Sequence, residues 1–112
     1  MITEQGEAEL AVALGQRIAD ARTHAGLTLR TLAARMGVNH STLANYEAGR
    51  RPLRVVQLIA IARAIGVAPA AFLIDPPEAR SIVNRINGNL ERALQVSYIL
   101  ETLDIPGADP DA

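Results

Sequence analysis

The sequence predicts an all-α protein: one compact helical domain followed by a C-terminal helical segment. Twenty of the 112 residues are alanine, and leucine and arginine are also frequent, so strong helix formers dominate the composition. Hydrophobic residues make up 49% of the chain but aromatic residues only 3%. The alternating β-branched and aromatic runs that indicate strands are lacking. A chain of this length can build one hydrophobic core.

The first two helices are indicated by apolar periodicity and by stop signals. Residues 1–9 are acidic and are predicted to be a flexible N-terminus. A first helix is predicted over about 10–25, because apolar residues recur at helical spacing: Leu10, Leu14, Ile18, Ala21 and Ala25. Thr28 can cap a second helix, which Gly37 ends by adopting the left-handed conformation.

Three further helices complete the predicted domain. Asn39 is a suitable N-cap for a third helix over about 40–48. A fourth helix, about 54–65, is apolar around most of its circumference, which predicts that it is the most buried element. Its N-cap position holds Arg54, a poor capping residue. A short fifth helix is predicted with Pro69 in its first turn.

The C-terminal third of the chain forms a separate segment. The Asp-Pro-Pro sequence at 75–77 breaks the chain, and a helical pattern follows over about 78–104. Asn87, Gly88 and Asn89 interrupt this pattern, so it is either one helix or a helical hairpin that turns there.

These elements divide the chain into four parts. Residues 10–75 are predicted to form the helical domain, 76–105 a segment for dimerisation or packing, and 106–112 a disordered tail after the acidic N-terminus.

Charge is distributed unevenly although the formal net charge is only −1. Residues 1–15 hold three acids and no base, and 67–112 hold seven acids against three arginines. Between them, 16–66 hold eight arginines against two acids. Such a basic block is typical of a surface that binds a polyanion, although a solvated surface would have the same composition. Every base is arginine, which suits bidentate contacts to phosphate or guanine.

The second and third predicted helices flank a tight turn at residues 37–39, which is the geometry of a helix–turn–helix. In this arrangement the first helix braces the second, whose N-terminal half can enter a DNA major groove. Residues 14–73 resemble the phage-repressor-like helix–turn–helix regulators, typified by lambdoid repressors and xenobiotic-response-element regulators. The strings that carry the resemblance are LGQRIADARTHAGLTLRTLAARMGV, STLANYEAGRRP and LIAIARAIGVAPAAFL.

The resemblance implies roles for residues at matching positions. His40, Ser41 and Asn45 fall where such proteins touch base edges, and asparagine can bond adenine bidentately. The alternative is that these three are polar surface residues. The positions implied for DNA-backbone contacts are Thr28, Arg30, Asn39, Thr42, Arg50 and Arg51. For Asn39, helix capping alone is an equal alternative.

Two departures and one ion pair also follow from the resemblance. Many relatives start the second helix with a phosphate-binding glutamine, and this chain has Leu29 at that position. Relatives often have a polar residue at the position before Gly49, and this chain has Ala48 there. These departures predict fewer backbone contacts. Arg22 and Glu47 lie where relatives place an internal ion pair, so Arg22 is predicted to be structural rather than DNA-contacting.

The apolar stripe of the C-terminal segment predicts a homodimer. Its members include Ile82, Ile86, Leu90, Leu94 and Leu100. Such a stripe either folds back on its own domain or pairs with a second copy, and dimerisation is the favoured alternative because one module of this kind buries too little surface for tight DNA binding.

Other chemistry finds little support. With no cysteine and only His24 and His40, neither a metal site nor a cofactor is predicted. Ser41 and Ser97 lack a partner base at motif spacing, so an enzyme is not expected. Five glycines are interpreted as punctuation between helices rather than as a phosphate cradle: Gly15, Gly26, Gly37, Gly49 and Gly66.

The sequence therefore predicts a cytoplasmic, non-membrane repressor that binds double-stranded DNA as a dimer and associates with the nucleoid when bound. An alternative is an antitoxin-like module whose 78–112 region binds a partner protein. A structural adaptor without a nucleic-acid partner is a third hypothesis.

Overall fold

The computed structural model describes residues 3–104, which are helical with no strand among them. The helices are α1 (Glu4–His24), α2 (Leu29–Met36), α3 (His40–Glu47), α4 (Val55–Ile65), a 3-10 helix (Pro69–Leu73), α5 (Pro77–Ile86) and α6 (Leu90–Leu103). The prediction of an all-α fold is confirmed. The predicted fifth helix is the 3-10 helix.

One hydrophobic core joins α1 to α4 and the 3-10 helix. Its fully buried large side chains come from four different helices: Ile18, Leu32, Leu43 and Ile61. The helix α3 contacts α1 and α2, while α4 contacts α2, α1 and the 3-10 helix. The helix α5 packs on the 3-10 helix, and α6 packs on α5. The helices α5 and α6 are thus attached to the core through the 3-10 helix.

The first helix starts at Glu4, six residues earlier than the apolar pattern predicts, so residues 4–9 are helical where the sequence predicts a flexible N-terminus. The Thr3 hydroxyl caps α1 by accepting a hydrogen bond from the Gly6 N–H at 3.0 Å. Glu4 and Glu7 lie in the first turn, where negative charge is stabilised by the helix dipole. Capping and charge therefore extend α1 beyond its apolar stripe.

The C-terminal segment consists of two helices separated at Asn87–Asn89, and not of one continuous helix. Gly88 has φ of 72°, a left-handed conformation that few other residues adopt. The Asn89 side chain then caps α6 by accepting from the Arg92 N–H at 3.0 Å. The predicted disordered tail, residues 106–112, lies outside the described residues.

Gly15 is a contact residue inside α1, so its interpretation as punctuation is wrong. A Cβ on Gly15 would lie 2.4 Å from the Glu47 carbonyl oxygen and 2.6 Å from that of Tyr46. The backbone of α1 therefore approaches the last turn of α3 directly. This close approach fixes the position of α3 on the core.

We expect Gly15→Ala to lower the free energy of unfolding by about 1–3 kcal/mol, because the new methyl group overpacks a backbone contact. Helix propensity alone predicts the opposite change in stability, because alanine stabilises a helix interior by about 1 kcal/mol relative to glycine. The matched control is Ala60→Gly, the reverse exchange at an exposed position of α4. It should also destabilise the chain, because only helix propensity acts at that position. Chemical denaturation measures both; a more stable Gly15→Ala variant would contradict the close approach.

Candidate nucleic-acid interface

The helix–turn–helix is closed by local signals at both ends of α2. The Thr28 hydroxyl accepts from the Thr31 N–H at 3.1 Å and caps the helix. At the other end Gly37 has φ of 70°, which lets the Val38 N–H donate to the Ala33 carbonyl at 3.0 Å. The chain then enters α3 within three residues, so α2 braces α3 across a short turn.

The helix α3 presents one apolar face and one polar face. Leu43 is fully buried and Tyr46 is 4% exposed, so both anchor the helix in the core. His40 and Ser41 are exposed, and Asn45 is half-buried beside them. The three side chains proposed for base contacts are thus on the side of α3 that the core does not cover.

Arg50 holds Asn45 in a defined arrangement that sequence reasoning missed. The Arg50 Nε–H donates to Asn45 Oδ1 at 3.1 Å, and the Arg50 backbone N–H donates to the Asn45 carbonyl at 2.9 Å. An asparagine that reads adenine uses both its oxygen and its nitrogen. Because Arg50 contacts the oxygen, it restricts the orientation in which the Asn45 amide would meet a base.

Asn39 occupies the N-cap position of α3, but its side chain makes no capping hydrogen bond. The capping role predicted for its side chain is therefore not present, and the side chain is exposed. The first-turn N–H groups of α3 lack that acceptor, and such groups attract anions. Both alternatives for Asn39 include a side-chain cap, which is absent, and its phosphate contact stays a prediction.

Arg50 and Arg51 follow α3 and are both exposed. Within residues 3–104 neither forms a salt bridge with a carboxylate. The Arg51 guanidinium lies over the Tyr46 ring, 5.6 Å from its centroid, and this cation–π contact orients it. Of the other predicted backbone contacts, Arg30 is exposed on α2 and Thr42 is half-buried on α3. The Thr28 hydroxyl is occupied by its cap and by a contact of 2.8 Å to the Thr31 hydroxyl.

Arg22 links α1 to the end of α3. Its Nε and Nη2 donate to the two Glu47 carboxylate oxygens at 2.7 and 3.0 Å, and its Nη1 donates to the Leu27 carbonyl at 2.8 Å. The side chains are only 16% and 9% exposed. The hydrogen-bonded carboxylate raises the pKa of the Arg22 guanidinium above its ordinary value. Arg22 is therefore committed to this bidentate pair and points away from solvent.

The predicted dimerisation residues are mostly uncovered. Leu90 is 74% exposed, Leu94 60% and Leu100 54%, and Ile82 is also exposed while Ile86 is half-buried. Tyr98, which the apolar pattern did not single out, is 72% exposed and lies one turn after Leu94. The chain does not fold back to bury these side chains. We call the exposed apolar surface of α6 the α6 face: Leu90, Leu94, Tyr98, Ile99, Leu100 and Leu103.

Comparison with protein families matches residues 13–72 to the helix-turn-helix domain. The match covers more than half of the chain, from α1 through most of the 3-10 helix, and the chain belongs to this family. No curated protein matches the chain. Across residues 3–104, no helix is both long and apolar enough to cross a membrane, and no three metal-binding side chains cluster.

Proposed function

We propose that this protein is a sequence-specific double-stranded DNA-binding regulator of the phage-repressor-like type, which represses transcription by occupying an operator. One observation carries the proposal: α3 is anchored by Leu43 and Tyr46 while His40 and Ser41 are exposed in its first turn. This is the arrangement in which a braced helix inserts its N-terminal half into a major groove. A repressor of this kind acts in the cytoplasm and on the nucleoid.

The charges around α3 support contact with the phosphate backbone. Arg50 and Arg51 flank the end of α3 without carboxylate partners among the described residues. Asn39 and the first-turn N–H groups add polar donors at its beginning. Arg22 is excluded from this set because it is paired with Glu47.

Selection of bound fragments from a random duplex library tests the function. A dimer should select a palindrome whose half-sites lie about one helical turn apart. Because arginines neutralise phosphates, affinity for the selected duplex should also fall steeply between low and physiological salt. Failure to enrich any sequence, or affinity that does not respond to salt, would overturn the proposal.

Dimerisation through the α6 face would supply the second reading helix. A helix that is apolar on more than one side requires more than one partner. The helix α6 packs on α5, and within α6 only Ala93 and Val96 are half-buried, while the other residues are exposed. Large apolar side chains that stay uncovered in the monomer mark an interaction surface.

We expect the double variant Leu90→Glu/Leu94→Glu to be monomeric, since two carboxylates would have to be desolvated in the interface. Light scattering coupled to gel filtration measures the mass. Val56→Glu is the control, because Val56 is 76% exposed on α4 and outside the α6 face. An unchanged mass of the double variant, or dissociation by Val56→Glu instead, would exclude this interface.

The same surface favours one alternative, an antitoxin-like protein whose C-terminal segment binds a different protein. The observation behind it is that Tyr98 and Leu103 are exposed together with the leucines of α6. A full chain that is monomeric when pure, and that co-purifies with a second small protein through residues 78–112, would favour this alternative over the homodimer.

A further inference from the structure

We propose that a groove between α1 and α5 binds a small amphipathic monocarboxylate. The groove has a volume of about 640 Å³, within the range of ligand sites. Its walls are α1 and α5, and the 3-10 helix closes its base. It lies on elements that do not include α3, so it is separate from the proposed DNA-binding surface.

The base of the groove is apolar and rigid. Phe72 is 2% exposed and Ala71 3%, so both are fixed in the core while forming the bottom of the groove. Ala21 on α1 and Val67 before the 3-10 helix extend this apolar surface. These side chains would contact the hydrocarbon or aromatic body of a ligand with roughly 10–20 non-hydrogen atoms.

The groove also carries cationic groups. Arg17 donates to the Phe72 carbonyl at 2.8 Å and pairs with Asp75, and Arg80 donates to the Ile74 and Asp75 carbonyls at 2.6 Å each. The Arg85 guanidinium, in contrast, makes no hydrogen bond or salt bridge among residues 3–104. Arg85 is therefore the cation available to a ligand.

Charge balance selects a monoanion. Three arginines line the groove, and they face the Asp20 carboxylate and the Asp75 carboxylate that pairs with Arg17. These three arginines and two carboxylates leave one net positive charge. A planar guanidinium binds a carboxylate bidentately, whereas a dianion would bring uncompensated charge close to Asp20.

A ligand here would bridge the core domain and the C-terminal helices. The Asn84 side chain accepts from the Ala68 N–H at 2.9 Å, which ties α5 to the 3-10 helix, and α6 packs on α5. Occupancy would fix α5 against α1. If the proposed dimer forms through α6, occupancy sets the separation of the two α3 helices and thereby the affinity for DNA. This consequence rests on the proposed function, but the binding itself does not.

Titration of the ¹⁵N-labelled full chain with 4-phenylbutyrate, and with 4-phenylbutan-1-ol as its uncharged counterpart, tests the site. We expect amide shifts at Ala21, His24 and Ser81, and tighter binding of the carboxylate. Arg85→Gln should weaken binding of phenylbutyrate about tenfold and leave the alcohol unaffected. Arg63→Gln is the control, because Arg63 is exposed on α4 outside the groove.

Three results would overturn the site: no shifts in the groove, shifts confined to Tyr98 and Ile99 of α6, or equal affinity for both compounds. Each can occur while the chain still selects a DNA sequence, so loss of the ligand site and loss of the DNA-binding function are separate outcomes. In a chain that binds DNA, phenylbutyrate should change the affinity for the selected duplex in wild type but not in Arg85→Gln.

Discussion

Simultaneous replacement of His40, Ser41 and Asn45 by alanine should reduce the preference for the selected operator over random duplex about 100-fold or more. Each good contact to a base edge discriminates by about 1–3 kcal/mol, and a dimer presents every contact twice. His40 and Ser41 are exposed, so their removal leaves no cavity in the core. Competition binding at fixed salt measures the ratio of the two affinities.

Binding to random duplex should survive in this triple variant, because it keeps Arg50 and Arg51, the proposed phosphate contacts. Arg51→Gln is the matched comparison: it should weaken binding to all sequences and lower the salt slope by about one for each phosphate that is no longer neutralised. Thermal unfolding shows whether the triple variant is folded. Undiminished preference in a folded triple variant would exclude α3 as the reading helix.

Removal of Arg50 should affect two things at once, the positioning of Asn45 and the proposed phosphate contact. The Arg50 Nε–H donates to the Asn45 side-chain oxygen at 3.1 Å, so in the proposed complex Arg50 would act on the base through Asn45 as well as on the DNA backbone directly. This link depends on the fold of the loop after α3. The resemblance to helix–turn–helix regulators assigns both residues to the proposed DNA-binding surface, but it does not predict the contact between them.

The elements that sequence reasoning located well are those with local signals. Thr28 and Gly37 bound α2, and both the cap and the left-handed conformation occur at the predicted residues. The start of α1 was missed because residues 4–9 have no apolar stripe, although the cap at Thr3 and the acids Glu4 and Glu7 indicate a helix start. Apolar periodicity alone was too strict a criterion for an exposed first turn.

Features that depend on two distant segments could not be predicted from the residues alone. The contact of Gly15 with the end of α3 exists only because the core brings the two helices together. A glycine has no side chain whose polarity or size could indicate such an approach. The helix α6 shows the same contrast. Its cap at Asn89 is a local signal in the sequence, whereas the exposure of Leu94 depends on how α5 and α6 pack.

The second large effect is expected from Arg22→Met, which should lower the free energy of unfolding by about 3–5 kcal/mol. The methionine removes both hydrogen bonds to Glu47 and leaves that carboxylate 9% exposed without its partner. It also removes the donor to the Leu27 carbonyl in the turn between α1 and α2. Arg51→Met is the matched control and should cost about 1 kcal/mol or less, because Arg51 is exposed and gives up only its interaction with Tyr46.

Thermal and urea unfolding of the two methionine variants decide whether the pair is structural, and equal destabilisation would contradict it. The double variant Arg22→Met/Glu47→Met should recover part of the stability, since it no longer leaves a charge unpaired in a confined site. Because the Glu47 carboxylate raises the pKa of Arg22, the guanidinium keeps its charge at neutral pH, and the stability that comes from this shift is lost as the pH rises into strong alkali. Glu47 is the last residue of α3 and Arg22 belongs to α1, so the pair holds the end of α3, the proposed reading helix, on the core. A partly destabilised Arg22 variant should therefore lose DNA affinity only to the extent that it unfolds or lets α3 move, whereas the triple alanine variant loses preference while it stays folded.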